Sequence, residues 1–497
     1  MDDPAAARFA MTAQKIIGAA VVVSFAALVF YGAVIHEPWW DEAQAWLIAR
    51  DATMTDLFTE RLAYEGHPPL WYLILAIPAK AGLPYKSMHV VAGLIAVTGV
   101  ALLQRQQNVP LPIRVLLPFT FYFAYQFTVV ARSYVILGAL LIAVAAIYDR
   151  RSERFWLFIA ILLAMANVSI HGTGIASALA LLFVIDEWRA RRNGRPAVPL
   201  PRLFLGAALF VIDVAFIALV IFPPADISGR FDIGYAFRAS KLWAIPSDAF
   251  IELLFGFDSF VGIVASQLAL LLLLYWFWRA RTLALFALML ISVLLPIAVY
   301  YSPWHEGVFF FILVTAFLVS FQRPVDRRLR YVVTAVLALV LMRHIYWTIS
   351  SYRYDASSAM TGSREVADYI KDHHIDRTGL FGAGVRCIEV QPYFDSSVFA
   401  NYHAQGGAAF WDWSERNPWP YPGWKWLERE RTRWMNLQLA RRPDYFLVAT
   451  GFSGDIFFSA MMSKRPDYRR VKIFRGRLFW KTTPIESIMF HLYERKS

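Results

Sequence analysis

The sequence predicts a polytopic α-helical membrane protein that carries an α/β domain at its C-terminal end. Of its 497 residues, 58% are apolar and only 17% are charged, whereas a soluble domain carries roughly 25% charged residues. The mean hydropathy is +0.45. Apolar segments recur through the first 350 residues, and none that could span a membrane follows them. This composition excludes a soluble globular protein.

The first apolar segment runs from Lys15 to Ile35 and can cross a bilayer, which takes about 20 apolar residues. Because further segments follow it, we interpret it as an uncleaved signal anchor. These lie at 68–83, 87–103, 111–128, 131–148, 155–170, 172–185, 203–222, 257–278, 282–300, 307–321 and 331–350. Together they predict about eleven to thirteen transmembrane helices. The segment 68–83 contains Pro78, and we expect it to lie in the outer leaflet or to re-enter.

Basic residues in the short loops predict the orientation, because cytoplasmic loops are rich in Lys and Arg. Four basic loops lie at 150–154, 189–202, 279–281 and 323–330. Placing all four on one side puts the N-terminus in the cytoplasm and residues 36–67 and 351–497 outside, so the number of full crossings is odd and eleven fits best. Cytoplasmic loops also explain the net charge of +12. We expect a location in the cytoplasmic (inner) membrane, among membrane lipids, and no nucleic-acid partner.

The chain changes character near residue 351, where charged residues become dense. Residues 363–373 show helical spacing with Ser363 as a candidate N-cap. Strands are predicted at 379–390, 444–450, 471–480 and 489–493. We therefore expect a transmembrane domain at 1–350 and an extracytoplasmic α/β domain at 351–497. The Trp-rich stretch 410–434 suits either a belt at the membrane interface or a wall that faces sugars.

The first outward loop, 36–67, has a net negative charge, whereas the chain as a whole is positively charged. It contains seven carboxylates and two arginines. Asp41 and Glu42 follow the first span closely and are framed by Trp39 and Trp40, so we expect them at the boundary between lipid and water. A carboxylate held there loses hydration, which raises its pKa and strengthens it as a base. The alternative interpretation is a solvated acidic loop without a catalytic role.

Two motifs resemble one family of enzymes. Asp41-Glu42, just after the first span, is followed by Glu65-Gly66-His67-Pro68-Pro69-Leu70-Trp71-Tyr72, and the segment from Tyr125 to Tyr134 reads YQFTVVARSY. Both are similar to the GT-C membrane glycosyltransferases, in particular the group with protein O-mannosyltransferases, aminoarabinose transferases and lipopolysaccharide-core galacturonosyl transferases. The resemblance covers about residues 15–320. Some relatives carry Lys before the Pro-Pro pair where this chain has His67, so the preferred sugar does not carry over.

The resemblance implies transfer of a sugar from a polyprenyl-phosphate donor to an acceptor hydroxyl at the outer face of the membrane, with inversion at the anomeric carbon. By motif position it implies Asp41 as the catalytic base, Glu65 as a second acid and Glu42 as a supporting residue. Trp40 and His67 are candidates for substrate contact. The acceptor stays open between a lipopolysaccharide core, another lipid-linked glycan and a protein hydroxyl.

A leaving lipid phosphate requires cations or strong hydrogen-bond donors. The outward candidates are Arg132, Tyr134, His171, Arg230, Lys241 and His305. Each has a structural alternative, since an Arg at a helix end often reaches toward lipid headgroups and a lone His in a turn, as expected for His171, is commonly a satisfied polar residue. Asp213, inside a predicted span, needs a partner or a cavity, because a charge at the bilayer centre costs roughly 2.5–3.5 kcal/mol.

The sequence leaves the cofactor question open. Asp41, Glu42 and Glu65 offer hard oxygen ligands, so a divalent metal held by Asp41 and Glu65 is a candidate cofactor. The single cysteine, Cys387, excludes an internal disulfide framework, a Cys-rich zinc site and an iron–sulfur cluster.

A transporter or flippase for lipid-linked glycans is the main alternative to an enzyme. Transporters tend to place charged residues near mid-membrane on interrupted helices and to show internal repeats. This chain concentrates its unusual residues in outward loops and shows no repeat. A glycan sensor is a third interpretation, but the sequence contains no cytoplasmic output domain. We therefore favour an enzyme.

Overall fold

The computed structural model describes residues 4–227, 240–402, 407–420, 428–451 and 456–496. This part of the chain is mostly helical, with a four-stranded sheet near its C-terminal end. The chain separates into two compact units. The first comprises Met1–Tyr31, His89–Leu219 and Phe231–Ile349, and the second comprises Gly32–Met88, Val220–Arg230 and Ser350–Ser497.

Seven helices in the described ranges are long and apolar enough to cross a membrane, as expected for a multi-pass membrane protein. They are Met11–Ile35 (within the helix Pro4–Ile35), Ser87–Gln104, Ile170–Arg192, Leu200–Val220, Phe260–Arg279, Pro303–Ser320 and Arg327–Ser357. Shorter apolar helices are Leu70–Lys80, Phe155–Ala166 and Leu283–Val299. Leu70–Lys80 has 11 residues, about half of what a full crossing takes.

The first unit is built around the helix Glu306–Ser320, which is buried at every position. Its sequence is apolar on all sides, as expected for a helix surrounded by others. It packs against the helices Tyr134–Ile147 and Leu283–Val299. Aromatic rings fill this core, since the ring of Phe311 lies 5.0 Å from that of Phe123, measured between centroids. Lys241–Leu254 is a further helix of this unit.

Two predictions for the first unit are wrong in detail. The segment 111–128 is not one helix, because Pro118 lacks the N–H that a continuing helix would need. It divides into the α-helix Leu111–Leu116, a 3₁₀ turn at Leu117–Phe119 and the π-helix Phe121–Gln126. His171 lies in the first turn of the helix Ile170–Arg192 rather than in a turn between spans, because the hydroxyl of Ser169 caps that helix by accepting from the N–H of Gly172 at 3.0 Å.

The second unit contains the predicted outward loop 36–67, which is mostly helical rather than extended. Its elements are the α-helices Trp40–Asp51, Met54–Asp56 and Leu62–Glu65 and the π-helix Leu57–Arg61. The helix Trp40–Asp51 packs against the helix Leu70–Lys80 and the 3₁₀ segment Val385–Tyr393. Most of its residues are buried. This helix is therefore an internal element, and a solvated acidic loop is the wrong interpretation for it.

The sheet of the second unit has the strand order β1-β2-β4-β3. The strands are β1 (Leu380–Ala383), β2 (Tyr445–Thr450), β3 (Tyr468–Trp480) and β4 (Thr483–Arg495). β1 and β2 are parallel, and the other two pairs are antiparallel. The accompanying helices are Ser363–Asp372, Glu428–Ala440 and Ile456–Ser463.

The structure confirms the predicted α/β character of this segment, with one correction. The predicted strand 379–390 ends at Ala383, and Val385–Tyr393 is a 3₁₀ segment instead. Gly384 between them has φ of 97°, a backbone conformation that favours glycine and ends the strand.

Candidate functional site

Glu42 is completely buried at the start of the helix Trp40–Asp51. Its carboxylate accepts from the backbone N–H of Trp39 at 3.1 Å and lies 3.2 Å from His36 Nε2. The other ring nitrogen of His36, Nδ1, lies 2.8 Å from the carboxylate of Asp355. Because ionised carboxylates only accept, both ring nitrogens donate and His36 is an imidazolium. Burial alone lowers its pKa, but Asp355 and Glu42 outweigh burial and raise the pKa of His36 to about 10. We call these three residues the His36 cluster.

Glu37 ties the same segment to the C-terminal part of the unit. Its carboxylate accepts from the backbone N–H groups of Thr361 and Gly362, both at 3.0 Å, and of Arg364 at 2.9 Å. These groups lie at the N-terminus of the helix Ser363–Asp372, where a negative charge is favourable. The start of the predicted catalytic segment is therefore fixed by residues more than 300 positions away.

Glu65 is held differently, by two uncharged donors. Its Oε1 accepts from Gln44 Nε2 at 2.7 Å and from the indole N–H of Trp413 at 3.0 Å. Part of Glu65 stays exposed, although the protein surrounds its carboxylate. Burial raises the pKa of Glu65 to about 7, against the opposing effects of the two hydrogen bonds and of Arg61. This carboxyl group therefore exchanges its proton near neutral pH.

Tryptophan rings pack against Trp413, which donates to this carboxylate. The ring of Trp40 lies 6.0 Å from those of both Trp411 and Trp413. Gln44 is itself oriented by Trp411, because its amide accepts from the backbone N–H at 2.8 Å and donates to the carbonyl at 2.9 Å. We call Glu65, Gln44, Trp40, Trp411 and Trp413 the Glu65 cluster. Elsewhere in the Trp-rich stretch 410–434, Trp419 and Trp434 are buried, and Trp424 and Trp426 lie outside the described residues.

Asp41 and His67 lie close in sequence to members of these two clusters. Asp41 is half-buried in the first turn of its helix, between Trp40 of the Glu65 cluster and Glu42 of the His36 cluster. His67 is partly exposed, and its Nδ1 lies 2.6 Å from the carbonyl of Glu65, so this nitrogen carries the hydrogen. Burial lowers the pKa of His67, because it disfavours the charged ring.

In the first unit, the structure brings together four of the predicted phosphate ligands. The hydroxyl of Tyr134 lies 3.0 Å from His171 Nδ1, and the rings of His171 and His305 are 4.9 Å apart. His305 Nδ1 accepts from the N–H of Ser302 at 3.1 Å, so the hydrogen of the neutral ring lies on Nε2. Arg132 lies within electrostatic range of Tyr134. Arginine, tyrosine and histidine side chains in this arrangement can hold an anionic group.

The remaining predicted residues have other surroundings. Lys241 is the first residue of the helix Lys241–Leu254 and is half-buried. Arg230 lies outside the described residues. Asp213 has a partner inside the membrane-spanning part, because the side-chain amide of Asn167 lies 3.0 Å from both of its carboxylate oxygens. This pairing gives Asp213 a structural explanation.

A divalent metal at Asp41 and Glu65 has little support from the donor geometry. Within the described ranges, no group of three or more His, Cys, Asp or Glu side chains could hold a metal ion. Both ring nitrogens of His36 are already occupied by carboxylates. Any metal at Asp41 and Glu65 would therefore need further ligands from its substrate or from water.

Three residues of these clusters escape prediction from the sequence, His36, Gln44 and Asp355, whereas Trp413 stands out only as part of the Trp-rich stretch 410–434. Asp355 and Trp413 reach their partners across more than 300 residues, so no local pattern indicates these two pairings. Gln44 carries a signal, since it is a single polar residue in a run of buried apolar ones. His36 also carries one, because it stands directly at the end of an apolar span.

Comparison with protein-family models, with curated proteins and with solved structures finds no match to this chain. The chemistry of the site therefore rests on the geometry of its own residues. In the second unit, that geometry is a proton-exchanging carboxylate beside tryptophan rings, next to a buried ion-paired anchor. In the first unit, it is an arrangement of donors suited to an anion.

Proposed function

We propose that this protein transfers a sugar from a polyprenyl-phosphate donor to an acceptor hydroxyl at the outer face of the cytoplasmic membrane, with inversion at the anomeric carbon. The Glu65 cluster is the observation that carries the proposal. Its carboxylate is partly exposed and has a pKa of about 7, which suits acid–base catalysis near neutral pH. The tryptophans beside it offer flat apolar faces and N–H donors. The motif resemblance to GT-C glycosyltransferases supports the same chemistry.

In the proposed reaction, a carboxylate takes the proton of the acceptor hydroxyl while its oxygen attacks the anomeric carbon. The bond from that carbon to the lipid phosphate breaks, and its electron pair stays on the phosphate oxygen. Asp41 is the base and Glu65 the second acid. Glu42, fixed by His36, holds the first turn of the helix and so positions Asp41. Trp40 and His67 contact the substrate.

The leaving phosphate gains negative charge, which donors and cations stabilise. We assign this role to Arg132, Tyr134, His171 and His305, with Lys241 as a further cation. If a divalent metal takes part, Asp41 and Glu65 would hold it, and it would supply positive charge to the phosphate.

We also propose an orientation in the membrane and more membrane segments than the seven candidate spans. It places the N-terminus in the cytoplasm, with about eleven to thirteen membrane segments and eleven full crossings, and it places residues 36–67 and 351–497 outside. Reporter fusions at Asp56 and at Ser463 should therefore give matching outward signals. Opposite signals would overturn both the orientation and the assignment of the acceptor to the outer face.

The decisive experiment compares envelope glycolipids and glycoproteins, by mass spectrometry, from cells with and without the gene. Loss of the gene should remove one sugar residue from one component, and the wild-type gene should restore it. Asp41→Asn should restore less than about a tenth, because a general base contributes about 10²- to 10⁴-fold. Glu42→Gln should be milder. Asp395→Asn, an equivalent change at an exposed position, is the matched control and should restore fully.

Two outcomes contradict the proposal. Full activity of Asp41→Asn would remove this residue from the role of base. An unchanged sugar composition, with a lipid-linked glycan accumulating on the cytoplasmic side, would favour a transporter or flippase instead.

A further inference from the structure

One face of the β3–β4 hairpin carries unbalanced positive charge. In the antiparallel register, Arg470 is opposite Tyr493, Ile473 is opposite His491, and Arg475 is opposite Met489. Cross-strand partners share a face of the sheet, and so do residues two apart on one strand. We call the surface formed by Arg470, Arg475, His491 and Tyr493 the basic face.

The other face of the hairpin is neutralised and covered. Arg469 pairs with Glu494 across the strands at 2.6 Å, and Lys472 pairs with Glu365 at 2.9 Å. Glu365 belongs to the helix Ser363–Asp372, which packs against β3. On the basic face, Arg470 and Arg475 are exposed, and neither makes an ion pair within the part of the chain that the structure describes. The charge imbalance is thus confined to one face.

Two buried polar groups of the basic face also lack hydrogen-bond partners among the described residues. They are Nδ1 of His491 and the hydroxyl of Tyr493. His491 is only 7% exposed and Tyr493 only 2%. Burying a polar group without a partner is unfavourable, because the group loses its hydrogen bonds to water and gains none in exchange. Ordered water can satisfy such groups, but water cannot neutralise two arginines, whereas an anion can do both.

The charges around His491 also indicate an anion. Burial lowers the pKa of His491, and the positive charges of Arg470 and Arg475 lower it further. An anion between these side chains would counteract the two arginines and raise the pKa of His491 again. The planar guanidinium groups suit the oxygens of a phosphate, since each can donate two parallel hydrogen bonds.

The hairpin lies beside the end of a candidate membrane span. The ring of Tyr354, near the end of the helix Arg327–Ser357, stacks on Phe479 of β3 at 4.2 Å, and its hydroxyl donates to the carbonyl of Arg477 at 2.8 Å. The exposed side chain of Arg477 extends the positive charge toward this end of the hairpin. Basic groups close to a span are drawn to anionic lipid headgroups.

We propose that Arg470, Arg475, His491 and Tyr493 form a binding site for the phosphate group of a membrane lipid. This site is separate from the Arg132 group assigned to the sugar donor, and it does not depend on the proposed transfer reaction. It anchors the hairpin to a lipid headgroup through residues that no part of the proposed reaction uses.

The test measures lipid binding to the full-length protein in detergent by native mass spectrometry. The probes are dioctanoyl phosphatidic acid, dioctanoylglycerol of the same chain length without phosphate, and inorganic phosphate. The wild type should bind phosphatidic acid, and Arg470→Gln/Arg475→Gln should weaken this binding at least tenfold. Tyr493→Phe should weaken it several-fold. Arg469→Gln, on the opposite face of the same strand, is the matched control and should keep wild-type affinity.

A second measurement separates a site from a general effect of charge. The pKa of His491, followed by NMR of ring-labelled protein, should rise when phosphatidic acid binds and should stay unchanged with dioctanoylglycerol. Equal affinity for inorganic phosphate and phosphatidic acid would overturn the lipid as the source of the phosphate. Unchanged binding of phosphatidic acid by the Arg470→Gln/Arg475→Gln variant would overturn the site itself.

Discussion

The His36 cluster and the Glu65 cluster lie in the same unit and share one helix, yet they hold carboxylates in opposite ways. Glu42 and Asp355 are buried and face a cation, whereas Glu65 is partly exposed and is held by two uncharged N–H donors. Ion pairing favours the charged form of a carboxyl group, and burial disfavours it. The His36 cluster therefore holds its segment in place through groups that stay charged, while the Glu65 cluster can take up and release a proton.

The largest effect is expected from breaking the His36 cluster. His36→Gln leaves two buried carboxylates without their cation, which typically costs about 3–5 kcal/mol. We expect a loss of unfolding free energy of this size, measured by denaturation in detergent. Stability in the wild type should also fall as the pH rises from about 6.5 toward 10, because the folded state holds the His36 proton with a pKa of about 10.

A triple variant tests whether charge is the cause. His36→Gln combined with Glu42→Gln and Asp355→Asn contains no buried unpaired charge and should recover much of the lost stability. His373→Gln, at an exposed position, is the control and should stay near the wild type. A single His36→Gln variant as stable as the wild type would show that the cluster does not anchor the segment.

Much of the fold follows from the sequence, because apolar periodicity reports directly which segments are buried or face lipid. The helix Ser363–Asp372 and strands β2 and β3 are predicted to within three residues, whereas β4 begins six residues before its predicted start. The site is harder to predict. Glu65 stands out in a motif, but its pKa depends on Trp413, which lies 348 positions away. Contacts of this range leave no trace in local patterns.

An intermediate effect is expected at Trp413, whose substitution should change the pKa of Glu65 in the Glu65 cluster. Trp413→Phe keeps an aromatic ring but removes the N–H that donates to Glu65. That hydrogen bond holds the pKa of Glu65 down, so its loss should move the pKa above about 7. An inflection of the transfer rate near neutral pH should move upward with it. The lost hydrogen bond should cost about 1 kcal/mol of stability.

Trp434→Phe is the control that separates the loss of stability from the shift in the pKa of Glu65. It also removes an indole N–H, one that donates to the carbonyl of Pro418 at 2.8 Å. This variant should show a similar loss of stability with an unchanged pH profile. An identical pH profile in Trp413→Phe would mean that Glu65 does not set the inflection.

The smallest effect is expected in the pH dependence of stability. Burial raises the pKa of Glu65 from 4.5 to about 7, so the folded state binds more protons than the unfolded state between these values. The wild type should therefore lose stability relative to Glu65→Gln as the pH rises from 4.5 to 7, and the difference should stay constant above that range. Because Glu65 is partly exposed, we expect less than about 1 kcal/mol. Parallel stability curves for the two proteins would contradict the raised pKa, and Glu153→Gln, at an exposed position, is the control.

The contact between Glu37 and the helix Ser363–Asp372 also sets an order of events during synthesis. Its two ends are 327 residues apart, as counted from Glu37 to Arg364. At ~5–20 residues per second, a ribosome needs roughly 15 to 65 seconds to cover that distance. Throughout this interval, the helix Trp40–Asp51 has been synthesised but the C-terminal residues that bury it have not. The second unit is thus the last part of the protein to be completed, whatever the speed at which its helices enter the membrane.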